Sequence, residues 1–385
     1  MRAVSISELQ EQGMMSSLML WRTFGILALS LSGVGVRAQD ETLASVLDPY
    51  HIAAGEAAGV EELAALARAI EADAESRANA GRPYHSVLRR LAASLWTRCG
   101  DNSSALSACL SVVVDPETNF DEADAWRVMG QVESGRDLGA AEAAYTNEVR
   151  VLEEEGSFLY ARHLVRARLA LALVRQARGD YEGAIRARVV LLGGNEASLA
   201  DKVRAKVLVE NARDAFRMGD RAGGAAWFDR LFAELPAWGE ADGSAVTLRI
   251  ERALHAFVDD PRAMRAELTR LWQDPVLSRH PKSLLAGSKL SAMLDHDDDQ
   301  RWVVRLEMLD RLRVNEAAGW GEPLRDPYTQ RLVARTMEAA MADLMGLADL
   351  RGEATIGIEA AYELLSRYPE SSLAGSVNAW LDRHE

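Results

Sequence analysis

Residues that could carry chemistry are few and scattered in this 385-residue chain. Its seven histidines form no H-E-x-x-H motif, and none pairs with a cysteine at a spacing that suits a metal ion. The sequence also lacks a Walker loop, a dinucleotide-binding glycine fingerprint and a nucleophile elbow. These features favour a protein that is not an enzyme and that needs no cofactor.

The densest run of potential metal ligands is Asp295-His296-Asp297-Asp298-Asp299. Alternating aspartates occur in calcium loops, but such a loop needs a glycine at position six and a glutamate at position twelve. Here those positions hold Gln300 and Leu306. We therefore expect a solvated turn whose last aspartates cap the following helix, with a divalent cation as the alternative.

The two cysteines, Cys99 and Cys109, allow two interpretations. In an oxidising compartment they could form a disulfide, which requires Cα atoms within about 7 Å of each other. That distance is hard to reach if Cys99 ends one helix and Cys109 lies in the second turn of the next. The other interpretation, which we favour, makes Cys109 a small buried hydrophobic residue.

Helical periodicity runs through most of the chain, and the alternating β-branched segments typical of strands are absent. One phrase also occurs twice, as LSRHPKSLLAGS at 277–288 and as LSRYPESSLAGS at 365–376, with nine of twelve positions identical. It contains a helix end, a proline stop, a serine cap and a new helix of small residues. Such reuse is typical of stacked helical units.

Glycines, small residues and prolines recur at a regular spacing. Gly219 is followed by Gly224, Phe228 and Pro236, and related sets follow Gly100, Gly179 and Gly352. Two helices cross closely only where one contributes Ala or Gly, and a large neighbour fills the groove beside the crossing. These spacings resemble the tetratricopeptide repeat (TPR), a helix-turn-helix unit of about 34 residues.

The resemblance covers residues 86–240 well and residues 338–381 in part. Arg188 departs from it, because the family has an apolar residue at that position. The junction Tyr368-Pro369-Glu370-Ser371 is similar to the joint between helices in exported bacterial TPR proteins. The resemblance implies an all-α, right-handed superhelix of TPR-like helical hairpins that diverges in its C-terminal half.

Four segments are predicted along the chain: a cleaved signal peptide at 1–38, an N-terminal helical cap at 39–85, TPR-like repeats at 86–240, and divergent helical repeats at 241–385 that end in a TPR-like unit and a capping helix. In the divergent part, the periodicity predicts helices around 244–257, 261–273, 283–294, 300–312 and 329–349.

The signal peptide is predicted from Arg22, from the apolar run at 23–31, and from the small residues that Val36-Arg37-Ala38 places before a cleavage site. The run is too short to remain in a bilayer, and Gln39 rather than a cysteine follows the predicted cut. We expect a soluble protein that is periplasmic or secreted.

The formal net charge is −14, and only four of the basic residues are lysines, so nucleic acid is not the expected partner. In the TPR family the first helix of each unit lines a concave groove. The resemblance implies that six cations lie there: Arg90, Arg98, Arg166, Lys206, Arg213 and Arg217. Arginine binds carboxylates in a fork geometry, so we expect a carboxylate-rich partner protein or peptide.

The predicted function is a non-enzymatic periplasmic scaffold that binds another envelope protein through this groove. The alternative is an enzyme or accessory protein that acts on peptidoglycan or polysaccharide, with a helical solenoid or an α/α-barrel and with tryptophans that stack on sugar. Trp96, Trp126 and Trp227 fall in or beside core positions of the repeats, whereas Trp238 and Trp320 are candidates for exposure. The oligomeric state stays open.

Overall fold

The computed structural model describes residues 42–384 except 58, 158–159, 194–199, 237–242, 296–297 and 318–325. The predicted signal peptide, Trp238 and Trp320 lie outside the described residues. Within the described part, all regular secondary structure is helical, with seventeen α-helices and two short 3-10 helices. The predicted all-α class is therefore confirmed.

The described residues divide into two compact units, called unit 1 and unit 2, with the boundary between residues 174 and 175. Seven helices begin in unit 1: α1 (Leu43–Glu56), α2 (Val60–Asn79), α3 (His85–Cys99), α4 (Asn102–Val114), α5 (Asn119–Glu133), α6 (Leu138–Glu155) and α7 (Ala161–Ala177). The last three residues of α7 belong to unit 2. Helices α1 to α5 each pack on the next helix in sequence.

Unit 2 contains the other ten α-helices: α8 (Tyr181–Gly193), α9 (Asp201–Arg217), α10 (Arg221–Glu234), α11 (Ser244–Ala256), α12 (Pro261–Gln273), α13 (Leu284–Ala292), α14 (Asp299–Ala317), α15 (Pro327–Arg351), α16 (Ala354–Arg367) and α17 (Ala374–His384). Each of them packs on the next helix in sequence, as stacked helical hairpins do. The divergent part thus has helices at the predicted places, although α14 and α15 are longer than expected.

The turn between α9 and α10 shows why the TPR-like spacing produces a hairpin. Gly219 ends α9 with a φ of +81°, a left-handed conformation that glycine adopts without strain. Asp220 then caps α10 by accepting a hydrogen bond from the Gly223 amide at 2.8 Å. Gly224 lies against Phe216, since a Cβ there would be 2.5 Å from the ring. The small residue therefore permits the close helix crossing.

Both cysteines are free in the structure. Cys109 is fully buried in the core of unit 1, and burial raises the pKa of its thiol to about 12. Cys99 is half-buried at the end of α3. The structure thus agrees with the interpretation of Cys109 as a small core residue.

The two copies of the repeated phrase fold differently. In the second copy Leu365-Ser366-Arg367 is the last turn of α16, whereas Leu277-Ser278-Arg279 in the first copy is a separate 3-10 helix. Pro275 explains the difference, because a proline disfavours helical backbone at the preceding residue, and α12 ends at Gln273. The same three residues therefore adopt different structures because a proline precedes only the first copy.

The acidic run before α14 acts as a helix cap. The Asp298 carboxylate accepts a hydrogen bond from the Gln300 amide at 2.8 Å. His296 and Asp297 lie outside the described residues. Among the residues that are described, no group of three or more His, Cys, Asp or Glu side chains is arranged to hold a metal ion.

Candidate interaction surface

The charged face of the first helices is the candidate site. Helices α3 and α5 in unit 1, and α9 and α11 in unit 2, are the first helices of hairpins, since each of them packs on the helix that follows it. Their arginines and carboxylates pair with residues about one repeat away in sequence, for example Arg90 with Asp124 and Arg213 with Glu251. This face therefore carries many charges that the protein itself neutralises.

In unit 1, Asp124 of α5 is the most strongly bound carboxylate of the face. It accepts from Arg90 of α3 at 2.9 Å and from Arg127 of its own helix at 2.7 Å. Arg90 also pairs with Asp121 at 2.9 Å. Although burial alone would raise the pKa of Asp124, Arg127 and Arg90 together hold it well below the usual range.

Glu148 of α6 lies beside this group and is bound much more weakly. Its side chain is only 1% exposed, and its Oε1 accepts one hydrogen bond, from Arg166 of α7 at 3.3 Å. Its Oε2 is buried without a hydrogen-bond partner in the described structure. Burial raises the pKa of Glu148 to about 7, and the attraction of Arg166 and Arg127 offsets only part of that shift.

An aromatic cluster borders the same charges. Phe120 and Tyr160 stack with their ring centroids 5.2 Å apart, and His163 meets Phe120 edge-on at 5.1 Å. Arg90 lies over the Phe120 ring at 5.3 Å. Burial lowers the pKa of His163, and Arg166 lowers it further, so this imidazole is neutral near pH 7.

In unit 2, Asp214 of α9 takes a position comparable to that of Asp124. It is fully buried and accepts from Gln176 at 2.8 Å, from Arg217 at 2.7 Å and from Arg188 of α8 at 2.7 Å. Arg188 is itself only 2% exposed. The departure from the TPR pattern at this position thus has a physical reason, because a buried carboxylate faces the arginine.

Arg213 is held by two carboxylates. Its Nε and Nη2 donate to Glu251 of α11 at 2.8 and 2.9 Å, and its Nη1 donates to Glu210 at 3.1 Å. These hydrogen bonds raise the pKa of Arg213 above its ordinary value. Such a fork contact fixes the guanidinium in place.

Two of the six predicted cations have no partner within the described part of the chain. Arg98 at the end of α3 and Lys206 on α9 are both exposed. The other four, Arg90, Arg166, Arg213 and Arg217, contact the protein's own carboxylates. Sequence reasoning could not find these pairs, since most of the carboxylates lie on other helices.

One further cation of this surface was missed. Lys202 lies one helical turn before Lys206, is exposed and has no ion-pair partner among the described residues. Positions 202, 206, 213 and 217 lie on one side of α9, because a helix turns by 100° per residue. The lysine pair therefore extends the line of Arg213 and Arg217 toward the start of the helix.

Three of the six described tryptophans are core residues. Trp96, Trp272 and Trp380 are at most 6% exposed. Each donates its indole N–H to a carboxylate of the same unit, as in the 2.7 Å contact from Trp272 to Glu307. Because these three rings are buried, their faces are not exposed for stacking on a sugar.

Comparisons with known proteins give no functional assignment. No protein-family model matches the chain, and no curated protein matches it. A solved structure described as Naa15/Naa10 bound to HypK-THB is similar over 89% of this chain and 55% of that chain, at 15% identity and a TM-score of 0.35. This chain thus spans about half the length of that relative, and a likeness at this TM-score carries no argument.

In the part of the chain that the structure describes, no helix has the length and apolarity needed to cross a bilayer.

Proposed function

We propose that this chain is a non-enzymatic scaffold that binds an acidic segment of another protein on its first-helix faces. The observation that carries the proposal is the exposed pair Lys202 and Lys206 on α9, with no ion-pair partner within the described residues. The rest of the basic line on α9 is already neutralised, so these two lysines hold the unused positive charge. A carboxylate-rich segment is the partner that such charge attracts.

In unit 1, Arg98 is another free cation. The four paired arginines act differently. An arginine held by its own carboxylates is pre-organised, but it must share or exchange its hydrogen bonds before it binds a partner. The proposed surface of unit 2 therefore comprises Lys202 and Lys206 as free cations on the same helix as the paired Arg213 and Arg217, while Arg98 is a separate free cation of unit 1. The partner is proposed to be an envelope protein, because the N-terminal sequence predicts export.

The lysine pair gives a cleaner test than the arginines would. Arg213→Glu would place a third carboxylate beside Glu210 and Glu251, so the substitution would damage the fold as well as the surface. Lys202→Glu with Lys206→Glu changes only exposed positions. A matched control is Arg262→Glu with Arg383→Glu, which makes the same charge change at exposed positions of α12 and α17.

The experiment uses the chain from Gln39 onward as bait. It is crosslinked in extract from its own cell envelope, and captured proteins are identified by mass spectrometry. We expect one or two reproducible partners for the wild type and the control, and loss of these partners for the lysine variant. Equal capture by the lysine variant and the wild type would refute the proposed surface, and retention on peptidoglycan with no captured protein would favour the carbohydrate alternative.

A further inference from the structure

A weakly bonded ion pair on the charged face of unit 1 joins Glu148 and Arg166. Asp124 accepts bonds of 2.7 and 2.9 Å from two arginines, whereas Glu148 accepts a single bond of 3.3 Å. Glu148 also has one buried oxygen without a partner. An ionised carboxylate that is buried and only half satisfied is costly, so this group is the one that gains most from taking up a proton.

Arg166 is the accessible member of the pair. Its side chain is 47% exposed, while that of Glu148 is 1% exposed. A ligand from solvent can therefore reach the guanidinium without reaching the glutamate. Arg162, one turn earlier on α7, is also exposed and has no partner among the described residues. The two arginines share one side of the helix, as residues four positions apart do.

We propose that Arg166 is a proton-gated binding site for a carboxylate of the acidic partner, with Glu148 as the gate. When Glu148 is ionised, it holds Arg166 in the internal ion pair. When Glu148 takes up a proton from solvent, Arg166 is released and can form a fork contact with a carboxylate of the partner. The only bond formed is the O–H bond of protonated Glu148, and one proton from solvent is bound for each carboxylate captured. This inference rests on the proposed function and adds a regulation to it.

The surrounding charges favour this exchange. Arg127 and Asp124 face Glu148 from α5. Tyr145 lies one turn before Glu148 on α6. Arg90 of α3 does not pair with Glu148 but with Asp124. His163 neighbours Arg166 on α7, and its lowered pKa keeps its own titration below that of Glu148. The internal charges of Arg90 and Arg127 stay balanced by Asp121 and Asp124 after Glu148 is neutralised.

The expected pH dependence follows from linkage. With a carboxyl pKa of about 7, the neutral fraction of Glu148 rises about tenfold between pH 8 and pH 6. The affinity of Arg166 for a carboxylate should rise by the same factor. The probe is a fluorescent hexaglutamate peptide, whose own side chains remain ionised over this range.

Binding of this peptide to the whole chain is measured by anisotropy at pH 6, 7 and 8 and constant ionic strength. We expect the wild type to bind about tenfold more tightly at pH 6 than at pH 8. Glu148→Gln should bind with little pH dependence, at the wild-type pH 6 level, because glutamine resembles the neutral acid. Arg166→Gln should lose the pH-dependent part of binding, and His163→Gln should keep it.

The outcomes separate the two proposals. Peptide binding of equal strength at pH 6 and pH 8 would overturn the gate and leave the acidic-partner proposal standing. A tenfold change that persists in Glu148→Gln would also overturn the gate. No peptide binding at any pH would overturn both proposals. If Glu148→Gln does not fold, Arg166→Gln carries the test, because its position is half exposed.

Discussion

The buried pair Arg188 and Asp214 yields the sharpest prediction for the fold. The two side chains are 2% and 0% exposed, and their 2.7 Å contact joins α8 to α9. Replacing Arg188 by Met keeps an unbranched apolar stem but removes the guanidinium. Asp214 would retain Gln176 and Arg217, so we expect a loss of about 2–3 kcal/mol, the value of one charge-assisted hydrogen bond to a buried charge.

Removing Asp214 should lower the stability more than removing Arg188. Asp214→Leu leaves the Arg188 guanidinium buried beside only the Asn211 side-chain oxygen at 3.5 Å. Removing one partner of a buried pair typically costs about 3–5 kcal/mol, because the other charge stays uncompensated. In the double variant both charges are gone, and we expect a stability within about 1 kcal/mol of the wild type, as for apolar replacements of buried ion pairs. The coupling energy between the two positions should therefore be at least about 4 kcal/mol.

Urea unfolding followed by circular dichroism measures these differences. Two compact units can unfold separately, so the transition that responds to the substitutions is the one to compare. The control is Arg186→Met on the same helix, where the arginine is 65% exposed and pairs with Glu182. An exposed pair of this kind contributes about 0.3–0.5 kcal/mol. If the losses from the two single variants simply add in the double variant, the reasoning about the buried pair is wrong.

Three further predictions test the packing and the titration. Because the pKa of Glu148 is raised to about 7, the free energy of unfolding of the wild type should fall by up to about 3 kcal/mol as the pH rises from 4.5 to 7. Urea titrations of Glu148→Gln should lack this loss. The same dependence on pH in the wild type and in Glu148→Gln would contradict the prediction. Gly224→Ala should lower the thermal midpoint by forcing a Cβ into an aromatic ring, at a cost of about 1–3 kcal/mol. Gly346→Ala, which meets no atom within 4 Å, should instead stabilise α15 by about 0.5–1 kcal/mol, and equal effects at the two sites would refute the packing argument. Iodoacetamide at pH 8 should label Cys99 but not Cys109, since burial raises the thiol pKa of Cys109, and labelling of both under native conditions would show that this core opens.

The number of basic residues on the first helices is a poor guide to the charge that a partner would meet. Arg90, Arg166, Arg213 and Arg217 look like a basic groove in the sequence, yet each contacts a carboxylate of this protein. Their number therefore overstates the positive charge available to a partner. Lys202 and Lys206 add less to the count but have no such partner in the described structure.

The local parts of the fold could be predicted from short stretches of sequence. Gly219, Gly224 and Phe228 are read from spacing alone, because a left-handed turn, a close crossing and a filled groove each depend on one residue type at one position. The helices of the divergent part were likewise predicted from apolar periodicity. These features need only contacts within one hairpin, so a short stretch of sequence contains the whole reason for them.

Which charges are neutralised depends on contacts between helices, and the sequence did not reveal those contacts. Arg188 stood out in the sequence as a departure from the repeat, but its reason is Asp214, 26 positions away on another helix. Glu148 carried no sequence signal at all, since its raised pKa comes from burial, which the attraction of Arg166 and Arg127 only partly offsets. Desolvation and ion pairing depend on distances across helices that the sequence spacing does not fix, whereas a turn or a helix crossing is fixed by the residues that form it.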